Sequence, residues 1–170
     1  MFKSFSKEPV EEKPISKPNG LPFHSIVIHS DENVTIERGD QIKCVGAYRI
    51  EKGVLVITST QSVELTIPPV KLQAVSIEAG GDVIIDIASV NTLTVDALDT
   101  IEATLDDFVT ANLASTNYGV DVHYKGVELV HVNCQSENGS ATSDAIFFGG
   151  EDCGKHLIVK ACDDVTLTNG

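Results

Sequence analysis

The sequence predicts an all-β chain, a parallel β-solenoid of short, regularly repeating rungs behind an extended N-terminal arm. Three observations carry that expectation. From Phe23 onward the chain is a succession of short β-branched or alternating runs. The breaks between those runs hold Asp, Gly, Asn or Pro-Pro. Residues 72–126 repeat with a period of 18, and a repeat of that length is one supersecondary unit that must stack on its neighbours to bury a core.

Residues 1–22 are the arm. They carry Pro9, Pro14, Pro18 and Pro22, four of the six prolines, among Lys, Glu and Ser. Proline at that density removes backbone donors and opposes both helix and sheet, so the segment is expected to be extended or disordered. Residues 23–170 form the β domain. Its first runs are HSIVIHS, NVTIE, QIKCVG, GVLVITS and SVELTI. Gly39-Asp40 and Lys52-Gly53 mark turns, and Pro68-Pro69 ends SVELTI because neither residue can donate to a ladder.

The repeat follows. LQAVSIEAGGDVIIDIAS (72–89), VNTLTVDALDTIEATLDD (90–107) and FVTANLASTNYGVDVHYKG (108–126) superimpose. Leu72, Val90 and Phe108 coincide, as do Ile77, Val95 and Leu113; Val83 meets Ile101, and Val120 after one inserted residue. Taken alone, 98–108 shows a helical stripe of Leu98, Ile101, Leu105 and Phe108. Its counterpart VIIDI is nearly all β-branched and follows Gly80-Gly81, so the segment is expected to be strand.

Composition narrows the function classes. The chain has 42% hydrophobic residues but only 5% aromatics and no Trp, which suits aliphatic layers better than a ring-lined pocket. The net charge of −13 argues against nucleic-acid binding. The arm holds four Lys against three Glu, and the body carries the excess acid, so a basic arm on an acidic body invites contact between copies. No apolar run reaches membrane-spanning length and MFKSFSKEPVEE lacks a secretory h-region. The expectation is cytoplasmic synthesis without a signal peptide, no membrane insertion, and free thiols at Cys44, Cys134, Cys153 and Cys162, with a disulfide between late cysteines as the alternative for a protein that ends up outside a cell.

The runs VTIERGDQIKCVG, GVLVITS and VELTIPPVKLQAVSIEAGGDVII resemble the autotransporter adhesin head domain of GIN type, over about residues 23–125. The shared features are an early strand pair ending in Gly-Asp, a G-x-L-x-I strand and a Gly-Gly-Asp rung, kept here at Gly80, Gly81 and Asp82. The resemblance implies a right-handed parallel β-solenoid without catalysis.

Among chemical motifs, His131-x-x-Cys134 and Cys153-x-x-His156 offer two imidazoles and two thiolates, the donor set of a tetrahedral zinc. Strand parity puts His131 and Cys134 on opposite faces, so the expectation is no metal and no cofactor. Glu78 and Asp96 align one rung apart, with Asp86 and Asp99 near in sequence. That is too few ligands for calcium, and the absence of Trp leaves little for a glycosidase. No Gly-rich phosphate loop, G-x-S-x-G or H-E-x-x-H occurs.

The expected function is therefore a non-enzymatic structural or attachment module, with no catalytic residue. It is expected to assemble as a homo-oligomer, a trimer first, and to contact another structural protein. The favoured setting is a phage virion component of head-decoration, tail or fibre type. An adhesin-like module binding a protein or glycan is the alternative, and a polysaccharide-acting enzyme the third. Partner contacts are expected at Lys3, Phe5, Lys13 and Lys17 of the arm. Further contacts are expected at Glu137 and Asn138 in the polar run 135–144, and at the adjacent Phe147 and Phe148.

Overall fold

The computed structural model describes residues 3–4, 13–15, 21–125, 130–143 and 155–169. Over these residues the chain is strand and turn, without a helix. The strands are β1 (Lys3–Ser4), β2 (Lys13–Ile15), β3 (Ser25–Ser30), β4 (Val34–Arg38), β5 (Ile42–Val45) and β6 (Tyr48–Glu51). Next come β7 (Val54–Ser59), β8 (Val63–Ile67), β9 (Lys71–Ala79), β10 (Val83–Ala97) and β11 (Ile101–Ser115). The last are β12 (Val120–Tyr124), β13 (Val130–Ser136), β14 (Ala141–Ser143), β15 (Lys155–Ala161) and β16 (Val165–Asn169).

Two parallel ladders run through the molecule. The first, face 1, follows the order β7, β3, β9, β10, β11, β15, β13. The second, face 2, follows β8, β4, β10, β11, β12, β16, β14. The long strands β10 and β11 take part in both and pair along almost their whole length, Val83 with Ile101 through Ala97 with Ser115. That register is the offset of the sequence repeat, and β9 pairs on β10 in the same way, Leu72 with Val90. The 98–108 segment enters β11 as strand from Ile101.

Parallel pairing with period-2 alternation puts like residues over like. Ile28, Ile77, Val95, Leu113 and Val159 form one column of fully buried aliphatics, at most 2% exposed. Val34, Val83, Ile101, Val120 and Val165 form another. Each such side chain contributes about 1.5–3 kcal/mol by leaving water. Phe108 sits over Val90 in register and meets Tyr124 edge to face, with centroids 6.4 Å apart.

The sheet is mixed, and in this the expectation of a parallel solenoid goes too far. β6 is antiparallel to β7, and β5 is antiparallel to β8. The cause is local. Lys52 (φ 50°) and Gly53 (φ 78°) close a tight hairpin, which can only reverse the chain; a parallel neighbour needs a long crossover. The arm strands β1 and β2 pair antiparallel with β6 and β5, so they extend that same end of the sheet. Sequence order is also broken. β3 lies between β7 and β9, and β15 between β11 and β13. The terminal strand β16 is consequently interior, flanked by β12 and β14.

Successive corners stack at one edge and satisfy each other. Ser30 and Ser115 are the buried polar side chains among the described residues. Ser30 Oγ donates to the Gln61 carbonyl at 2.7 Å and accepts the Glu32 amide at 3.1 Å. Ser115 Oγ donates to the Asp99 carbonyl and accepts the Tyr118 amide. Asn33 Oδ1 accepts the Asp82 amide, and Asp82 Oδ1 in turn accepts the Thr100 amide and hydroxyl at 3.0 and 2.7 Å. Turn amides that no strand pairs thus find partners within their own corner or in the adjacent one.

The polar run 135–144 follows the same plan. It is strand to Ser136, a turn, then strand from Ala141 to Ser143. Ser136 Oγ accepts the Gly139 amide and donates to the Asp163 carbonyl, while Asp164 Oδ1 accepts the Ser140 amide. Its polarity is the chemistry of a corner, not of a free loop.

Close stacking explains Gly80-Gly81. A Cβ on Gly80 would fall on the backbone carbonyl of Asp31, which cannot swing aside. Gly80→Ala is expected to lower unfolding free energy by about 1–3 kcal/mol. Urea denaturation checks this; an unchanged midpoint would mean that the corner is not packed in this way.

Candidate functional site: an acidic strand face

The two faces differ outside as much as they agree inside. Across face 2 one outward row reads Glu64, Thr35, Ile84, Glu102, Asp121, Thr166. Neighbours in such a row stand about one strand spacing apart, ~4.8 Å. Glu64 and Glu102 are exposed, and Ile84 between them is 45% exposed, a single apolar residue ringed by acid. The next row adds exposed Glu37 beside Thr66, then Asp86, Thr104 and His123. His123 Nε2 lies 3.4 Å from Asp121 Oδ1.

Arg38 neutralises one end of this face. Its Nε is 2.7 Å from Asp86 Oδ1, and its Nη1 and Nη2 donate to Asp106 at 2.6 and 2.8 Å. Nη2 also donates to the Ile87 carbonyl at 3.0 Å, and Lys125 approaches Asp106 at 3.8 Å. The bidentate guanidinium is the main cause that holds the Asp106 carboxyl below its ordinary range, against partial burial. One residue on, Lys155 bonds Asp107, lowering that carboxyl too, and lies 5.9 Å from the centroid of the Phe108 ring.

At the corner edge of face 1 a shallow cavity of about 360 Å³ is lined by His29, Asp31, Glu78, Asp96, Leu98 and Thr116, among others. His29 Nδ1 is 3.5 Å from Glu78 and Nε2 is 4.0 Å from Asp31. Glu78 and Asp96 are register partners, as their alignment implies. Among the described residues no three His, Cys, Asp or Glu side chains gather as metal ligands.

The residues singled out from sequence are dispersed. His131 and His156 are register neighbours on β13 and β15. Cys134 pairs with Val159 and packs half-buried against the core, where burial raises its thiol pKa. Cys153 lies outside the described residues, so the quartet is not assembled among those described. Lys3 and Lys13 lie on β1 and β2, while Phe5, Lys17, Phe147 and Phe148 lie outside the described residues. Glu137 and Asn138 are exposed at the corner after β13; the Asn138 amide donates to the Cys162 carbonyl at 2.7 Å. Cys44 is fully buried, its thiol pushed up to about 12 by desolvation, and is chemically quiet. Sequence reading missed the Arg38 clamp, because partners as distant along the chain as Asp86 and Asp106 carry no local signal.

No protein-family model and no curated protein matches the chain. Solved structures do. A candidate cell adhesion protein from Clostridium sporogenes superimposes with a TM-score of 0.59 at 8% identity, over 94% of this chain and 99% of that one. This likeness shows a shared all-β fold over the matched part of the chain. A candidate adhesin from Bacteroides fragilis aligns over 100% of this chain and 96% of its own, at 12% identity and a TM-score of 0.37.

The clamp makes stability depend on pH. With the folded Asp106 pKa below its unfolded value, its contribution is complete above the unfolded pKa, about 4. It is lost as pH falls through the folded value. Asp106→Asn is expected to cost about 1–2 kcal/mol at pH 7 and to flatten the acid-side decline of the urea midpoint. An equally steep decline in the variant would remove Asp106 as its source.

Proposed function

We propose that the chain is a non-enzymatic, adhesin-like binding module built on a short β-solenoid, the outermost rung of which is closed by antiparallel strands. The observation that carries this reading is the fold likeness to the clostridial cell adhesion candidate. Two features of the molecule agree with it. The stacked ladder is a stiff support, and face 2 presents Glu37, Glu64, Glu102 and Asp121 around exposed Ile84. Such a surface suits a protein partner that offers Lys or Arg about an apolar contact. The virion setting expected from the sequence has no finding in its favour, and the adhesin-like alternative takes its place.

The test is binding of the purified chain to intact cells and to a panel of matrix proteins, each read at two salt concentrations. Binding is expected to weaken with salt and to fall about tenfold or more in Glu64→Lys/Glu102→Lys. A charge-matched pair at the turns, Asp40→Lys/Asp99→Lys, is expected to leave it unchanged. No binding to any surface, or equal losses in both pairs, would contradict the reading. So would turnover of a polysaccharide that disappears on Asp86→Asn or Asp99→Asn.

A further inference from the structure

Face 1 is the chemical opposite of face 2. Its central outward row reads Val27, Ser76, Thr94, Asn112, Ile158, Asn133 across the ladder. Neither this row nor the one on its strand-start side, which includes Thr92, Thr110 and His156, holds Asp, Glu, Lys or Arg. Val27 is 40% exposed. A chain of net charge −13 thus keeps two adjacent rows free of Asp, Glu, Lys and Arg on this face, among the described residues. Two such bodies repel wherever their acids meet, so this face is where a second copy can approach at least electrostatic cost.

The outermost row of the face supplies the register. It runs Thr58, His29, Glu78, Asp96, Ala114, Lys160. Lys160 is exposed and makes no ion pair among the described residues. Consider a two-fold axis along the strands, between β10 and β11. It lays β9 of one copy over β15 of the other and β10 over β11. Glu78 then faces Lys160 of the second copy, twice by symmetry, and Asp96 faces Ala114 rather than another acid. Shifting the axis onto β10 would set Asp96 against Asp96 and His29 against Lys160, so charge selects one register.

We infer that face 1 is a self-association surface. Two copies pack it face to face about this axis, joined by reciprocal Glu78–Lys160 pairs around a neutral Ser/Thr/Asn centre. Six strands at ~4.8 Å and five residues at ~3.3 Å give a flat footprint of roughly 500 Å² per copy. The total of about 1,000 Å² stands at the threshold of a specific, weak interface. The arrangement leaves acidic face 2 outward on both copies, and the inference stands whether or not face 2 binds a cell surface.

Sedimentation velocity of the full chain over a concentration series tests it. The native chain is expected to show a concentration-dependent monomer–dimer equilibrium. Glu78→Lys and Lys160→Glu are each expected to weaken it about tenfold or more, and the double reversal Glu78→Lys/Lys160→Glu to restore it. Thr94→Lys, at the centre, is expected to abolish the dimer, while Gln41→Lys, away from the face, leaves it intact. A chain monomeric at every concentration would overturn the inference. A dimer indifferent to Thr94→Lys, or a double reversal no better than the singles, would do the same.

Discussion

Parallel strands paired in register place each position of one strand directly beside the matching position of the next. Everything else in this molecule follows from that constraint. A side chain in such a ladder must suit the residue above and below it as well as the core. Aliphatic columns satisfy this readily, because Ile28, Ile77, Val95 and Leu113 have similar volumes and no polar atom to orphan. The scarcity of aromatics has the same origin: Phe108 over Val90 is accommodated only where Tyr124 turns edge-on beside it.

The constraint is harder on corners and charges. A tight corner leaves amides that no strand pairs, and the molecule answers with Ser, Asn and Asp whose side chains reach the adjacent corner. Charges in a column repel unless something intervenes. His29 stands beside Glu78 and Asp31, and Arg38 bridges neighbouring strands to hold Asp86 and Asp106 together. Glu64 and Glu102, which no cation pairs among the described residues, are exposed to water and to any cationic partner. A ladder also has ends. At one end the chain covers its own outer strands with the antiparallel β5 and β6, which blunts an edge that would otherwise invite aggregation.

Much of this was legible in the sequence, for a physical reason: in-register stacking turns spatial neighbours into a fixed sequence offset. The alignment of Leu72, Val90 and Phe108 is the observed pairing, and the same offset settled 98–108 as strand against its helical stripe. What was not legible lacks a period. The antiparallel end depends on a tight turn at Lys52-Gly53 whose strands read no differently from parallel ones. The placement of β15 between β11 and β13 depends on an insertion that no repeat announces. Of the candidate surfaces, the Glu78–Asp96 column was visible because it obeys the offset. The acid row across β8, β4, β10, β11 and β12 follows the repeat from Ile84 to Glu102 and Asp121 but not at β8 and β4. There Val34 pairs with Val83 and Val63 with Val34, separations along the chain that the repeat does not share. The run 135–144 looked like a loop because corner residues and loop residues share a composition.

The central claim is the register and order of the ladder, and backbone NMR contacts between strands test it most directly. The account predicts cross-strand contacts from Val83 with Ile101 through to Ala97 with Ser115, all in one register. It also predicts that Ile28 contacts Ile57 on one side and Ile77 on the other. Sequential helical contacts through 98–108, or a strand at 25–30 that meets 54–59 but never 74–79, would contradict it.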